Sequence, residues 1–537
     1  MTPSAREGSM KTIKSPSQQR LFDPFEGVIS RTGWKQIENG WQSMFREVLL
    51  EQMPVHRVAS GMSDNEGRPS EELHAMVGLV LIRELQGWTV PQTHEAVLFR
   101  SDLQYALNLE PGFDVTQRTI ERYLQRMQNE EGLSEELFTS VTDTLLKSME
   151  VKIKKQRLDS THVLSDMAVL GRSQMMGVAL RRLFHQLQKS SPTLFERVPD
   201  ALRTRYCKQS DSRIFGESRT TEQRRLALQQ AGEDMAAVIT LFANEKPVCA
   251  WKTFTILQTI FDQQCEVREE FVTIRAQTGG AVIQNPSDPD ATYDGHKGAG
   301  YQVQICETVN EDGLPNLITS AIVQTAVCND AAAVELVLED LEVRGHLPEE
   351  LLADAGYGSH ENVELSGQKD VKLTAPVPGG KAYDPEEVGY DQFKLNAANE
   401  VTACPAGHAP QSTRYNEKND HVWAQLNPEL CRSCPLVNQC RVQKDKTTGQ
   451  ANGRVQFRSD APQASRRRRH EQTREFRDSY RWRSGIESTN SALKRRLGLK
   501  RLRVRRMKAV KLAVMLKLTA WNILRATALR GVCMQPA

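Results

Sequence analysis

Apolar residues recur at helical spacing through the first part of the chain. Residues 71–86 are apolar on most sides, which is typical of a buried helix. A polar stretch ending at Thr116 predicts a capped start for a further helix. The helices predicted in this region cover residues 71–86, 90–99, 102–107 and 117–128. We therefore predict a helical N-terminal domain over residues 21–150, preceded by a disordered polar tail at residues 1–20.

Strand-like segments begin after residue 150. The first ends at Asp159, and a short apolar run later in the chain ends at Asp354 and is followed by glycines. Further strands are expected over residues 301–308, 317–327 and 372–377, and a helix over residues 331–344. This alternation predicts an α/β core over residues 151–378 and 466–530. Two insertions interrupt it, a mostly helical one at residues 165–285 and a cysteine-rich one at residues 379–465.

One predicted helix near the C-terminus combines a carboxylate with an aromatic hydroxyl and two cations. Tyr480, Arg483, Glu487 and Lys494 stand at offsets 0, 3, 7 and 14. On an α-helix these offsets fall within an arc of roughly 60°. Taken alone, this face is also compatible with an ordinary basic helix carrying an Arg483–Glu487 surface pair, although a base N-terminal to its acid is the weaker order.

Two further carboxylates favour a functional interpretation of this helix. Asp159 and Asp354 each follow a predicted strand, and in open α/β sheets active-site groups lie at the carboxyl ends of strands. Together with Glu487 they would form an oxygen-only site, which hard divalent cations prefer. Such a site can hold two metal ions on either side of a phosphodiester.

The order Asp159, Asp354, Glu487 and the spacing Tyr-x2-Arg-x3-Glu-x6-Lys resemble the DDE transposases of bacterial insertion sequences. All four positions of the YREK signature, which marks one branch of that family, are present. The segments Arg-Leu-Asp-Ser-Thr-His, Asp-Pro-Asp-Ala and Ala-Asp-Ala-Gly-Tyr resemble the family as well. The resemblance extends over residues 20–530 or thereabouts.

The resemblance implies a ribonuclease-H-like core in which the strands bearing the two aspartates lie side by side. It implies an enzyme that binds the terminal inverted repeats of its element, cleaves DNA at its ends and directs the freed 3′-hydroxyl at target DNA, as a homodimer in the DNA complex. Asp159, Asp354 and Glu487 would hold two Mg²⁺ or Mn²⁺ ions. Tyr480, Arg483 and Lys494 would grip DNA phosphates.

Two other kinds of protein remain open on the sequence. One is a ribonuclease-H-like nuclease that cuts DNA without joining strands. The other is a transposase-derived protein that binds DNA without cutting it. The intact set of three acids argues against the second, and the YREK spacing argues against the first.

Charge is distributed unevenly along the chain. The formal net charge is +3, but residues 466–508 contain 17 Lys/Arg and 4 Asp/Glu, a net of 17 − 4 = +13, which leaves 3 − 13 = −10 for the rest. A basic stretch on an acidic protein is typical of a nucleic-acid contact, although Arg466–Arg469 alone would equally suit a solvated charge run. The candidate phosphate contacts of this stretch are Arg501, Arg503, Arg505 and Arg506.

A second candidate DNA contact lies in the N-terminal region. Arg118, Arg122 and Arg126 recur every four residues on the predicted helix at 117–128, as in a helix-turn-helix arrangement. The alternative is a small helical bundle used for packing or dimerisation. The resemblance to transposases favours DNA binding, by Arg118 and Arg122.

The cysteine-rich insertion contains Cys404, Cys431, Cys434 and Cys440, a CxxC pair with two further cysteines. This set predicts a structural zinc site or an iron–sulfur cluster, with His408 as an alternative ligand; reduced thiols are the competing interpretation.

Two further aspartates, Asp288 and Asp290, also have two interpretations. They either support the acidic site or form an Asp-Pro turn, and the turn is favoured.

The sequence indicates a cytoplasmic, nucleoid-associated protein without a membrane segment. The N-terminus is polar and carries no secretory signal. The most apolar helix, predicted over residues 510–524, is interrupted by Lys511 and Lys517 and is therefore not expected to span a membrane.

Overall fold

The structure is a computed structural model of a mixed α/β protein. It describes residues 11–16, 22–63, 69–208, 220–269, 271–310, 312–379 and 383–533. Within the predicted tail, Thr12 accepts a backbone hydrogen bond from Leu73 N, and Thr12 N donates to Ser70 Oγ. Residues 1–10 and 17–20 of that predicted tail lie outside the described residues.

The N-terminal region is helical, as predicted. Its α-helices are α1 (Arg31–Glu38), α2 (Trp41–Met44), α3 (Val55–Ser60), α4 (Leu73–Gln86), α5 (Val90–Phe99), α6 (Ser101–Ala106), α7 (Gln117–Asn129) and α8 (Leu133–Ser148). A π-helical turn (Phe45–Leu49) and a 3-10 turn (Leu50–Gln52) join α2 to α3. Helix α4 is buried on almost every side, and the Thr116 hydroxyl caps α7 by accepting from Thr119 N.

The central sheet is mixed and joins strands that are far apart in sequence. The first eight strands are β1 (Lys155–Val163), β2 (Cys265–Arg268), β3 (Phe271–Ile274), β4 (Thr292–Asp294), β5 (Gly298–Thr308), β6 (Ile318–Thr325), β7 (Glu350–Leu352) and β8 (Lys372–Thr374). Strand β5 runs antiparallel to β1 and also pairs antiparallel with β4 and β6, whereas β7 lies parallel to β1 and β8 parallel to β7. The strands that lead to Asp159 and Asp354 are therefore neighbours.

The insertion between β1 and β4 has its own hydrophobic core. Its helices are α9 (Arg172–Ser190), α10 (Pro192–Glu196), α11 (Asp200–Arg203), α12 (Thr221–Phe242), α13 (Lys246–Cys249) and α14 (Lys252–Gln264), with a π-helical turn at Thr204–Lys208. Phe184, Phe242 and Phe254 are fully buried in it. The insertion also contains the β2–β3 hairpin, which the prediction of a mostly helical segment did not include.

The remaining elements surround the sheet and complete the chain. Helices α15 (Ala333–Val343) and α16 (His360–Gln368) are preceded by 3-10 turns at Asp330–Ala332 and Ala355–Tyr357. The cysteine-rich segment contains a 3-10 turn (Tyr390–Gln392), β9 (Lys394–Leu395), β10 (Val401–Ala403), β11 (Ser412–Asn416), β12 (His421–Gln425), α17 (Pro428–Arg432) and β13 (Arg454–Arg458). The chain then forms α18 (Ala461–His470), α19 (Arg474–Tyr480), a 3-10 turn (Arg481–Ser484), α20 (Gly485–Arg496) and α21 (Met507–Cys533).

Helix α21 is a core helix. By length and composition Met507–Leu529 would be apolar enough to cross a membrane. However, 67% of its most apolar 18-residue stretch is buried inside the protein, where the helix packs on α4, α8 and β6. Buried Lys517 donates to Leu497 O at 2.7 Å and pairs with Glu84 at 2.7 Å. Lys511 pairs with Glu135. Both lysines thus face protein partners, which fits a helix in a protein core better than a helix in lipid.

Asn522 joins α21 to the sheet. Its side chain is fully buried, accepts from Ile318 N at 2.8 Å, and donates to Ile318 O at 2.8 Å and to the Thr142 hydroxyl at 3.0 Å. The backbone of the first residue of β6 is therefore satisfied by a helix side chain. Leaving such buried groups unpaired costs free energy.

We predict that Asn522→Leu lowers the free energy of unfolding by about 3 kcal/mol, because it leaves the amide and carbonyl of Ile318 without partners. Urea unfolding would measure this value. Thr527→Ala is the control and should cost about 0.5 kcal/mol, since the hydrogen bond found for this hydroxyl among the described residues goes to Ile523 O of its own helix. Equal losses in the two variants would contradict a linking role for Asn522.

Candidate active site

Asp159 and Asp354 lie at the same edge of the sheet. Strand β1 continues to Val163, so the prediction that it ends at Asp159 is wrong by four residues. The antiparallel partner β5 extends alongside, with Ile305 opposite Asp159, and this pairing holds the extra residues in the strand. Asp354 follows β7 by two residues and accepts from Gly356 N at 2.8 Å, which starts a 3-10 turn.

The segment that carries Glu487 is not one continuous α-helix. Tyr480 is the last residue of α19, Arg483 lies in the 3-10 turn, and Glu487 is in the first turn of α20. The prediction of a single helical face is therefore wrong in its geometry, because the tighter turn changes the angular spacing. The turn nevertheless directs Arg483 toward the sheet edge.

Arg483 links the three predicted acids. Its Nη1 lies 2.5 Å from Glu487 Oε1, and its Nη2 lies 3.4 Å from Asp159 Oδ1 and 3.5 Å from Asp354 Oδ2. Asn490 of α20 donates to the other oxygen of Asp159 at 3.1 Å. One guanidinium thus lies among three carboxylates that come from positions up to 328 residues apart (159 to 487). The three acids named from the sequence come together at one place.

The site concentrates negative charge in a partly buried position. The pKa of Asp159 is raised to about 6, chiefly by burial; the charge of Arg483 opposes this shift and the charge of Asp354 contributes to it. Burial also raises the pKa of Tyr480, which lies close enough to Arg483, Asp354 and Asp159 to interact with their charges. Burial lowers the pKa of Lys494, and the charge of Asp159 opposes that change. The predicted phosphate-gripping residues therefore surround the acids.

The chemistry of the acids suits a hard divalent cation. All three are carboxylates, and the raised pKa of Asp159 shows that added positive charge would stabilise its ionised form. Through the described ranges of the chain, however, no three His, Cys, Asp or Glu side chains are close enough together to hold a metal ion. Arg483 lies where their negative charges converge. The donors fit such an ion, and its entry would require the guanidinium to give way.

A buried ion pair between β1 and β5 supports the acids from the interior of the protein. Arg157, two residues before Asp159 on β1, donates through Nε to Glu307 of β5 at 2.7 Å, and the two side chains are only 6% and 0% exposed. Arg157 Nη1 also donates to the carbonyl of Trp482 in the 3-10 turn at 2.7 Å. Thr489 of α20 donates to Glu307 at 2.9 Å. One polar network therefore binds β1, β5, the 3-10 turn and α20 together.

Gly485 leaves room for this network. A Cβ atom at Gly485 would lie 1.9 Å from Arg157 Nη1, well inside contact distance. Complete burial raises the pKa of Glu307, and the Arg157 charge and the Thr489 hydrogen bond oppose that shift. The glycine thus allows the start of α20 to lie directly against the guanidinium.

Sequence reasoning missed four residues that support the site. They are Arg157, Glu307, Gly485 and Asn490. Two signals were available: Arg157 shares a strand face with Asp159, and Asn490 stands three residues after Glu487 on the same helix. The pairing of Arg157 with Glu307 has no local signal, since 150 residues separate them.

The four cysteines of the insertion line one pocket. Cys404, Cys431, Cys434 and Cys440 surround it together with His408 and apolar side chains such as Leu426. The pKa of Cys431 is raised to about 11, chiefly by burial and to a smaller extent by the three neighbouring cysteines. All four are free thiols. Their convergence agrees with the predicted cluster, whereas a metal site of three or more ligands is not formed among the described side chains.

The basic residues after α20 are partly engaged with the protein. Arg505 pairs with Asp166 at 2.9 Å, and Arg501 donates to Met167 O at 3.4 Å. Arg503 is exposed. Arg506 is also exposed and donates its backbone N–H to Asp288 at 2.9 Å. The stretch lies at the surface beside the end of β1, where its charges face solvent.

Asp288 and Asp290 serve the start of α21. Asp288 is fully buried and also accepts from the Tyr301 hydroxyl at 2.6 Å, while Asp290 accepts from Met507 N at 2.8 Å. They therefore hold backbone and hydroxyl donors, and Arg483, which links the other acids, contacts neither among its described hydrogen bonds.

On α7, Arg118 is 82% exposed beside Glu121, and Arg122 contacts Thr119 at 3.3 Å. Arg126 instead donates to Val58 O at 3.4 Å, so it packs against α3. The three arginines do not form one free basic face, but Arg118 and Arg122 remain at the surface.

Comparisons with known proteins point to one class. Residues 403–527 match a family model described as a transposase DDE domain. The matched segment includes Tyr480, Arg483, Glu487 and Lys494. It contains all of α20 and ends within α21. The match indicates a transposase DDE domain in this part of the chain, and the matched residues include neither Asp159 nor Asp354.

Among solved structures, the chain is similar to a piggyBac transposase synaptic complex with hairpin DNA, determined by cryo-EM. The identity is 9% and the TM-score 0.22, with 67% of this chain and 65% of that chain covered. The chain thus spans slightly less than two thirds of that protein, and the similarity is too low to support a shared fold. No curated protein matches the chain.

We predict that Glu307→Leu destabilises α20 locally by about 3 kcal/mol, because it leaves the buried Arg157 charge unpaired. Amide hydrogen exchange in residues 485–496 should then be up to about 100-fold faster, while exchange in α4 is unchanged. The double variant Arg157→Met/Glu307→Leu should recover most of the protection, since neither charge is then left alone.

The matched control for this cycle is the exposed pair Lys152–Asp312, with side chains 62% and 56% exposed. Replacing Asp312 by Leu should change the free energy of opening, obtained from amide exchange in residues 485–496, by less than about 1 kcal/mol. If the Arg157→Met/Glu307→Leu variant is no better protected than Glu307→Leu alone, the pair does not hold α20.

Proposed function

We propose that this protein is the DDE transposase of a bacterial insertion sequence and belongs to the YREK-signature branch. It would bind the terminal inverted repeats of its element, cleave DNA at the element ends and transfer the freed 3′-hydroxyl to target DNA. The observation that carries the proposal is the contact of Arg483 with Asp159, Asp354 and Glu487. The site thereby joins the arginine of the signature to all three acids.

The core of the proposed enzyme is ribonuclease-H-like. In support, β1, β5 and β6 pair antiparallel, and β7 and β8 extend the sheet in parallel beyond β1. We assign the core to residues 151–378 and 466–530, with insertions at 165–285 and 379–465, and a DNA-binding domain to residues 21–150.

The chemistry would be metal-dependent phosphodiester hydrolysis and transesterification. Asp159, Asp354 and Glu487 would hold two Mg²⁺ or Mn²⁺ ions, which supply activation of the attacking oxygen and stabilisation of the leaving oxygen. Arg483, displaced from the carboxylates, would turn to the phosphate with Tyr480 and Lys494. Their positive charges and hydroxyl would stabilise the charge that develops on the phosphate in the transition state.

DNA binding would be shared between two surfaces. Arg501, Arg503, Arg505 and Arg506 would contact phosphates near the acids and give affinity without sequence information. Arg118 and Arg122 of α7 would contribute the preference for element ends. A homodimer would hold the two ends of the element in one complex.

The four cysteines would bind a structural zinc ion in the insertion. They are thiolate donors of the type that zinc prefers, and they line one pocket. Binding would require the thiols to lose their protons and to draw closer together.

We predict that replacing Asp159, Asp354 or Glu487 by Ala abolishes cleavage of DNA carrying the element ends, a loss of several orders of magnitude, with DNA binding within a few-fold of the original. Metal ligands serve the chemistry more than the docking. Cleavage and strand transfer would be measured with Mg²⁺ and with Mn²⁺ on DNA containing the inverted repeats that flank the gene.

Asp478→Ala is the control for these substitutions, because Asp478 pairs with Arg474 on the exposed side of α19. It should cleave normally. Cleavage without strand transfer by the original protein would indicate a nuclease instead, and binding without cleavage would indicate a DNA-binding protein. Full activity of any one Ala variant would remove that residue from the site.

We predict that the purified protein contains about one equivalent of zinc, and that chelation makes residues 379–465 protease-sensitive while the core stays intact, because structural zinc contributes folding free energy. Elemental analysis and limited proteolysis would measure both effects. Cys434→Ser should lose the metal, whereas Cys207→Ser, in the helical insertion, should keep it. Protein free of both zinc and iron would refute this site.

A further inference from the structure

We propose that Lys297 binds a phosphate of the DNA backbone beside Asp159, as part of a lysine site that also includes Lys494 and Lys500, and that Asp330 holds the Lys297 ammonium group until DNA arrives. This inference rests on the proposed DNA substrate and adds a contact that the transposase signature does not contain. The ligand is a phosphodiester of the strand that passes the acidic site.

The β4–β5 turn projects Lys297 over the neighbouring strand. Asp294 accepts from the backbone N–H groups of His296 and Lys297, at 2.8 and 2.6 Å, and so closes the turn. Gly298 has a φ of +93°, in the region that favours glycine. At Gly300 a Cβ would lie 2.5 Å from the Val163 carbonyl. The turn therefore lies tightly against β1, and its lysine reaches across that strand.

The Lys297 ammonium group is placed next to the acidic site. Its Nζ donates to the Ser160 hydroxyl at 2.8 Å and lies 3.0 Å from Asp330 Oδ2. Ser160 directly follows Asp159, and its hydroxyl in turn donates to Asp330 at 3.1 Å. The side chains of Lys297 and Asp330 are 30% and 26% exposed. The third acceptor of the ammonium group is Gln302 Oε1, at 3.3 Å. The group is thus held in one position at a partly exposed site, and a ligand from solvent would replace one of its three partners.

Two more lysines from other elements approach the same place. Lys494 comes from α20, and the segment after α20 is fixed beside β1 because Leu164 N donates to Lys500 O at 3.1 Å. Asn490 of α20 lies 3.1 Å from Asp159, and Lys494 follows it by four residues, one turn further along the same helix. Burial lowers the pKa of Lys494; the charge of Asp159 opposes that shift, and the charges of Lys500 and Lys297 add to it. Three cations from separate elements therefore lie near one another beside Asp159.

Mutual repulsion among cations points to an anionic ligand. A structural ion pair between Lys297 and Asp330, partly exposed, would contribute about 0–1 kcal/mol and would not need Lys494 and Lys500 nearby. A phosphodiester between these lysines would relieve the repulsion, as phosphate contacts from lysine do on DNA. Asp330 neutralises Lys297 in the free protein and would lose it to the phosphate.

The test is fluorescence anisotropy with random duplex DNA and with element-end DNA, in metal-free buffer, across a salt series. Lys297→Met should weaken binding to both duplexes and reduce the slope of log affinity against log salt by about 0.9, the value of one lost phosphate contact. Lys297→Arg should keep the slope. Asp330→Asn should bind at least as tightly as the original, because it frees the ammonium group and removes a negative charge.

Lys152→Met is the matched control. Lys152 is paired with Asp312 near the opposite end of β1, so its loss should leave the slope unchanged. The proposal is overturned if Lys297→Met leaves the slope unchanged, or if Lys297→Met and Asp330→Asn weaken binding equally, as a purely structural pair would. Neither result contradicts DNA binding by the original protein, so neither contradicts the proposed function. Failure of the original protein to bind DNA would refute both.

Discussion

The position of α20, the helix that carries Glu487, depends on the buried pair of Arg157 and Glu307. Removing two charges from water is costly, and the cost is offset only where each remaining donor and acceptor is satisfied. Here the carbonyl of Trp482 and the hydroxyl of Thr489 do so, and both belong to the segment that carries Glu487. Any drift of that segment away from the sheet would expose a buried charge without its partner. The network therefore ties the glutamate to the strand that carries Asp159.

The opposite side of the site is held less firmly. Arg483 contacts Asp159 and Asp354 at 3.4 and 3.5 Å, long distances for charged hydrogen bonds, and Glu487 is 63% exposed. Three carboxylates (Asp159, Asp354 and Glu487) lie close together there, and so do three lysines (Lys297, Lys494 and Lys500). A ligand of opposite charge would stabilise each of these two groups. A rigid support behind these exposed charges suits the proposed function, in which the site would exchange a protein cation for metal ions and DNA phosphates.

Local sequence patterns predicted much of the fold and the acids of the site. Helix α4, which is apolar on most sides, the strand leading to Asp354 and the apolar helix α21 follow from local patterns, and the resemblance named Asp159, Asp354 and Glu487. The prediction ended β1 at Asp159, yet pairing with β5 extends the strand to Val163. The 3-10 turn before α20 is held by a hydrogen bond from Arg157 to the carbonyl of Trp482, which joins residues 325 positions apart. Long-range contacts of this kind leave no local pattern.

The cysteine-rich insertion enters and leaves the core without disturbing the acids. It begins after β8 and ends at α18, where Arg467 donates to Gly358 O at 2.8 Å and to Ala375 O at 3.1 Å. Glu471, directly after α18, accepts from Val377 N at 2.8 Å. These bonds close the insertion at its base, on the loop that follows Asp354 and on the segment that follows β8. The chain is therefore fixed to the core before it reaches α19, and Glu487 is held by contacts with β1 and β5 rather than by the insertion.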